Sequence, residues 1–74
     1  MILMNNICID EKIKGGKPVI KGTRVPVDLI LGKLACGMSY EEVMEEYDIT
    51  QQDIFSALEY ASVCISGDEI RAVV

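Results

Sequence analysis

The 74-residue chain has no histidine and no tryptophan, one phenylalanine, two prolines and three cysteines. Each shortage excludes something. Without histidine the commonest acid–base side chain is missing, so an enzyme is the poorest reading and none is expected. Cys8, Cys36 and Cys64 are an odd count with no C-x-x-C pair, and they fall one ligand short of a structural zinc site. Each stands beside apolar residues, where a free thiol packs as a small hydrophobe, so reduced core cysteines and no cofactor are expected. No apolar run approaches the ~18 residues that span a bilayer. With no secretory leader recognisable, the chain reads as soluble and cytoplasmic, with no membrane partner.

What is present is a half-hydrophobic chain, 50% by composition, which argues for a globular domain over a disordered arm. A chain this short buries only ~60% of its unfolded surface. With disulfides and metal set aside, self-association is the expected supplement. The net charge of −5 is unevenly spread. Residues 1–33 hold six basic and three acidic side chains, a net +3. Residues 34–74 hold Arg71 alone against nine acids, a net −8. A basic front is joined to an acidic back.

The hydrophobic pattern changes period near residue 26. Before it, Ile7-Cys8-Ile9 and Val19-Ile20 are short β-branched runs separated by Gly15-Gly16 and closed by Gly22, which read as strands and turns. Pro18 and Pro26 lack a backbone N–H, so these strands belong at a sheet edge. Two short strands are barely stable alone. They must lie on the helices or pair with another chain, and a homodimer through these N-terminal strands is expected.

From Pro26, suited to a first helical turn, Val27, Ile30, Leu31, Leu34 and Ala35 form one apolar stripe at helical spacing. Gly37 ends that helix. Ser39 and Glu42 form a capping box for a second helix, in which Tyr40, Val43, Met44 and Tyr47 repeat at the same spacing. Asp48-Ile49-Thr50 breaks the pattern, and Thr50 caps a third helix with Asp53 in its first turn. Ile54, Phe55, Leu58, Ala61, Ser62 and Ile65 are its expected inward stripe, and Gly67 stops it. The predicted fold is mainly α. A three-helix helix-turn-helix bundle spans residues 27–66, a short N-terminal β segment of the same domain spans 1–26, and a tail spans 67–74.

A short helix, a three-residue turn and a longer helix have the proportions of a helix-turn-helix, whose second helix reads base edges with its N-terminal side chains. Those side chains are Gln51 and Gln52, with Ser56 one turn on. Glutamine can pair bidentately with adenine. The third helix has no Lys or Arg up to Gly67, so phosphate affinity must come from elsewhere. The basic front is the only source: Lys14, Lys17, Lys21 and Arg24 surround three glycines, with Lys17, Lys21 and Arg24 the candidate phosphate contacts. The plainer reading makes the glycines tight turns and the lysines solubilising charges at a strand edge. Gly16-Lys17 lacks the surroundings of a P-loop.

The run Gly15-Gly16-Lys17-Pro18-Val19-Ile20-Lys21-Gly22-Thr23-Arg24-Val25-Pro26-Val27, then Leu34-Ala35-Cys36-Gly37-Met38-Ser39 and a Glu-rich second helix, resembles the small bacterial and archaeal family called domain of unknown function 433. The resemblance covers roughly residues 7–62, and Ile54, Ala57, Leu58, Tyr60 and Ala61 are similar to its third helix. It implies a homeodomain-like helix-turn-helix with an N-terminal β segment. It also implies, as in many members, an antitoxin encoded beside a PIN-like toxin, a metal-dependent ribonuclease. On that footing the chain represses its own operon by binding operator DNA and neutralises the toxin. The uneven charge, rather than the resemblance, suggests how: Glu41, Glu42, Glu45, Glu46 and Asp48 would occupy a basic RNA groove, while Arg24 or Arg71 meets metal-binding carboxylates. For any one glutamate a solvated helix face is the plainer account. The alternative function is a protein-interaction adaptor without nucleic acid.

Overall fold

The structure, a computed structural model, describes residues 2–4 and 6–67. Arg71 and most of the 67–74 tail therefore lie outside the described residues. Three short strands, β1 (Ile2–Met4), β2 (Ile7–Cys8) and β3 (Val19–Ile20), precede three helices, α1 (Val27–Ala35), α2 (Tyr40–Tyr47) and α3 (Gln51–Gly67). The fold is mainly α, as the hydrophobic periods predict.

The strands form one antiparallel sheet in the order β1-β2-β3, with Ile7 opposite Ile20 and Cys8 opposite Val19. β1 is an addition to the expected pair. The chain turns into β2 through Asn6, which is left-handed at φ 71°, a conformation asparagine tolerates better than most residues. Of the two ways to stabilise short strands, the sheet takes the first and lies on the helices. Ile7 and Ile20 are buried in one core with Val27, Ile30, Val43, Ile49, Ile54 and Ala57. Each buried Ile or Val contributes about 1.5–3 kcal/mol by leaving water, so the β segment is part of the core.

Local signals set the helix ends. Gly37, at φ 100°, lets its N–H donate to the Leu34 carbonyl at 3.0 Å while Met38 N–H donates to Lys33 at 3.1 Å. That pair of bonds is the Schellman closure of α1. Ser39 Oγ then accepts from Glu42 N–H at 3.1 Å, and Glu42 accepts from Ser39 N–H at 2.8 Å, starting α2. Asp48, left-handed at φ 56°, ends α2 and turns Ile49 inward, where it is buried.

Two expectations fail. Of the inward stripe assigned to α3, Ile54 is buried and Ala61 half-buried, whereas Phe55, Leu58, Ser62 and Ile65 are exposed. The buried arc runs through Ile54, Ser56 and Ala57, with Tyr60 and Ala61 half-buried beside it. Because apolar residues occur on both sides of α3, periodicity alone left its rotation undetermined. The cysteines are free thiols, but Cys36 and Cys64 are exposed and Cys8 is only half-buried, so they are not core residues. Cys36 caps α1, and Cys64 lies on a stretch of α3 where every side chain from Ser62 to Ser66 is exposed. Among the described residues no helix is long and apolar enough to cross a membrane.

Candidate interaction surfaces

The β3–α1 connection is a side-chain-locked turn. Thr23 N–H donates to the Ile20 carbonyl at 3.0 Å, with Gly22 left-handed at φ 82° between them. The Thr23 hydroxyl donates to the same carbonyl at 2.8 Å and accepts from Val25 N–H at 3.0 Å. Ile20 N–H donates to Val25 and Val27 N–H to Pro18, closing the loop at 3.0 and 2.9 Å. Glycine, threonine and proline here are turn chemistry. The side chains this turn leaves in solvent are Lys21 and Arg24.

The turn is tied to the start of α3. Lys21 N–H donates to the Asn6 carbonyl at 2.8 Å, and Asn6 Nδ2 donates to Asp53 Oδ1. Asp53 uses its other oxygen, Oδ2, to accept from Thr50 N–H at 2.9 Å, while Asp53 N–H donates to Thr50 Oγ1 at 3.1 Å. The α3 capping box is therefore also the anchor of the β hairpin. It brings the Lys21 and Arg24 turn to the helix end that carries the exposed Gln51 and Gln52. Asn6 and the dual role of Asp53 escaped the sequence reading. Positions 47 residues apart share no local signal, although asparagine at a hairpin bend and aspartate at a helix start are each suggestive.

Other predicted residues are placed elsewhere. Ser56 is 3% exposed and cannot reach a base edge: it lies on the buried arc of α3 beside Ala57. Lys17 is exposed and its Nζ lies 3.1 Å from Asp28 Oδ2 across the start of α1. With Lys14, Pro26, Asp28 and Leu29 it lines an open cleft of about 480 Å³. Lys17 and Asp28 also border a mostly apolar groove of about 180 Å³ formed by Pro18, Val27, Leu31, Tyr60, Ala61 and Cys64. Lys17 thus sits by Cys64, ~20 Å along α3 from Gln51 at 1.5 Å per residue, and does not join Lys21 and Arg24. A hydrogen bond with Cys64, helped by burial, raises the Tyr60 hydroxyl above its ordinary pKa.

Glu41, Glu42, Glu45 and Glu46 are all exposed on α2, with Asp48 at its end. They form an acidic face, although the Glu42 carboxylate is engaged in capping. Tyr40 packs edge-on against Phe55, with ring centroids 5.9 Å apart, which fixes the start of α2 beside the first turns of α3. Among the described residues no group of three or more Cys, Asp or Glu is arranged to hold a metal ion.

Sequence comparison matches residues 7–61 to the family described as Protein of unknown function (DUF433). The chain belongs to the DUF433 family. Its DUF433 region includes the locked turn, all three helices' core positions and the Asp53 cap, while β1 and the last six residues of α3 fall outside. An uncharacterized protein of Archaeoglobus fulgidus is 60% identical over 25 residues, which span 34% of this chain and 69% of that protein. The crystal structure of Rv2018 from Mycobacterium tuberculosis is similar with a TM-score of 0.66 and 32% identity, over 72% of this chain. The match spans 25% of the length of Rv2018, so the similar region there is part of a longer polypeptide.

Proposed function

We propose that this DUF433 protein is an antitoxin-like regulator that binds operator DNA at the edge where the β3–α1 turn meets the start of α3. The observation that carries the reading is the Lys21–Asn6–Asp53 chain of hydrogen bonds, which joins a cationic turn to the exposed amides of a helix-turn-helix second helix. Lys21 and Arg24 grip phosphates, and Gln51 and Gln52 read base edges. Lys17 contributes a more distant phosphate contact. The acidic face of α2, Glu41, Glu45 and Glu46 foremost, is offered to a PIN-like ribonuclease, with Glu42 held back by its capping bonds. The reading is of a binding protein without a cofactor or a catalytic role.

Fluorescence anisotropy with the DNA upstream of the gene, from 50 to 300 mM salt, tests the DNA half. Lys21→Ala and Arg24→Ala should each flatten the log K against log salt slope by about 0.9. Gln51→Ala should narrow the gap between specific and nonspecific duplex while leaving that slope alone. No binding even at low salt sinks this half. Co-purification with a PIN-like neighbour tests the other, and Glu45→Lys with Glu46→Lys should weaken that complex. A second reading, an adaptor that binds only proteins, is favoured by one observation. α2 and α3 carry no basic side chain, and α3 turns Phe55 and Leu58 outward directly below Gln51 and Gln52.

A further inference from the structure

Phe55 is the one phenylalanine of the chain, and it is 43% exposed. Its sequence neighbours Ile54 and Ser56 are both buried, so the ring is turned outward from the packed arc of α3. At about 100° per residue, Phe55 lies about 40° from Gln51 and about 60° from Gln52 around the helix axis. It therefore projects between the two exposed amides. Along the axis it stands about 6 Å beyond Gln51 and about 4.5 Å beyond Gln52.

The ring is also held in place. Tyr40 packs edge-on against it, with an interplanar angle of 71°. That contact restricts the Phe55 rotamer while leaving part of the ring open, so little side-chain entropy is lost when a ligand meets the open part. Charge favours contact at this end of α3 over the next turn. The Lys21 and Arg24 turn is tied to the helix start through Asn6 and Asp53. Glu59, exposed one turn beyond Phe55 on the same side, would repel phosphates.

Two amides flanking a fixed apolar ring match the major-groove edges of A·T pairs. Glutamine pairs bidentately with adenine N6 and N7, and thymine presents an apolar 5-methyl group that phenylalanine can contact. Bases are stacked every ~3.4 Å along a strand. An axial offset of about 4.5–6 Å thus carries Phe55 one or two base steps from an adenine read by Gln51 or Gln52. We infer, on the footing of the DNA-binding reading above, that the Phe55 ring covers thymine 5-methyl groups in the major groove. Phe55 is then a specificity residue, and the preferred site pairs an adenine under the amides with a thymine one or two steps on.

Deoxyuridine in place of thymidine deletes only the methyl group. Fluorescence anisotropy with matched thymine and uracil duplexes of the upstream DNA therefore isolates the contact. The wild-type chain should bind the uracil duplex at least about fourfold more weakly, the change expected for one buried methyl group. Phe55→Ala should no longer distinguish the two duplexes, and its log K against log salt slope should stay at the wild-type value, because no phosphate contact is lost. Gln51→Ala should bind more weakly yet keep the discrimination. The comparison of duplexes leaves the protein unaltered, so it stands even if circular dichroism shows that Phe55→Ala disturbs the packing on Tyr40. Equal affinity of the wild-type chain for the two duplexes overturns the inference and leaves the DNA-binding reading intact. So does a folded Phe55→Ala chain that still discriminates. No binding to the thymine duplex even at low salt overturns both.

Discussion

The β segment and the helical segment reach order by different means. Five of the seven left-handed residues among those described, Asn6, Lys14, Gly15, Gly16 and Gly22, lie in the first. The other two, Gly37 and Asp48, only close α1 and α2. The front has strands of two or three residues and depends on turns whose shape is set by glycine and by Thr23 bonding back to the main chain. The back depends on helix periodicity and capping boxes. Both supply the same core, however. The difference teaches that a signature rich in Gly, Thr and Pro can be explained by turn construction, leaving Lys21 and Arg24, with Lys17 more distant, in it for recognition.

The sharpest test of a shared core is to truncate one member on each side. Ile20→Ala and Ile54→Ala remove fully buried branched chains from β3 and α3. Each should destabilise by about 2–5 kcal/mol in urea titrations. Near-equal losses, with a single transition by every probe, make the front structural. If Ile20→Ala costs little, the front is an appendage and the comparison breaks.

Next in size are the turn substitutions. A Cβ on Gly22 meets nothing within 4 Å, so Gly22→Ala isolates the backbone cost of φ 82°, roughly 1–2 kcal/mol. Thr23→Val keeps the shape and loses two hydrogen bonds, for about 1–3 kcal/mol. If both substitutions are silent, turn construction does not account for these residues. The equivalent test in the back is Asp53→Ala, expected to cost about 0.5–2 kcal/mol as a lost cap. Asn6→Gly keeps the left-handed φ of 71°, removes the side-chain link to Asp53 and should cost less. It should also loosen the relation between Lys21 and Gln51, weakening specific DNA binding more than stability.

The two regions also differed in how much their sequence disclosed. Helical signals are local: Gly37 after Ala35, Ser39 with Glu42, and the Asp48-Ile49-Thr50 break predicted the ends of α1 and α2 and the start of α3. The rotation of α3 was not local. Ile54 and Ala57 on one side, and Phe55 and Leu58 on the other, both satisfy a helical period, and only packing against β2, β3 and α1 decides between them. Ser56 was misplaced for that reason. β1 was missed because a three-residue strand carries almost no periodicity. The Asn6–Asp53 bridge was invisible because it exists only once the hairpin is laid on α3. What was legible in the candidate site was its chemistry, Lys21 and Arg24 with Gln51 and Gln52, and what was not was their adjacency.

The smallest expected effect separates fold from recognition most cleanly. Lys17 and Asp28 make an ion pair at 3.1 Å with both side chains more than half exposed, 58% and 65%. Exposed pairs of this kind gain little Coulomb energy in water and lose side-chain entropy. Lys17→Ala should therefore change the unfolding free energy by no more than about 0.5 kcal/mol. Because Lys17 is paired with Asp28 and borders the second half of α3, its removal should flatten the DNA salt slope less than theirs. A salt slope that falls as much for Lys17→Ala as for Lys21→Ala would place all three cations on one nucleic-acid face. The division between a DNA-facing turn and an ion pair that only dresses the start of α1 would then be gone.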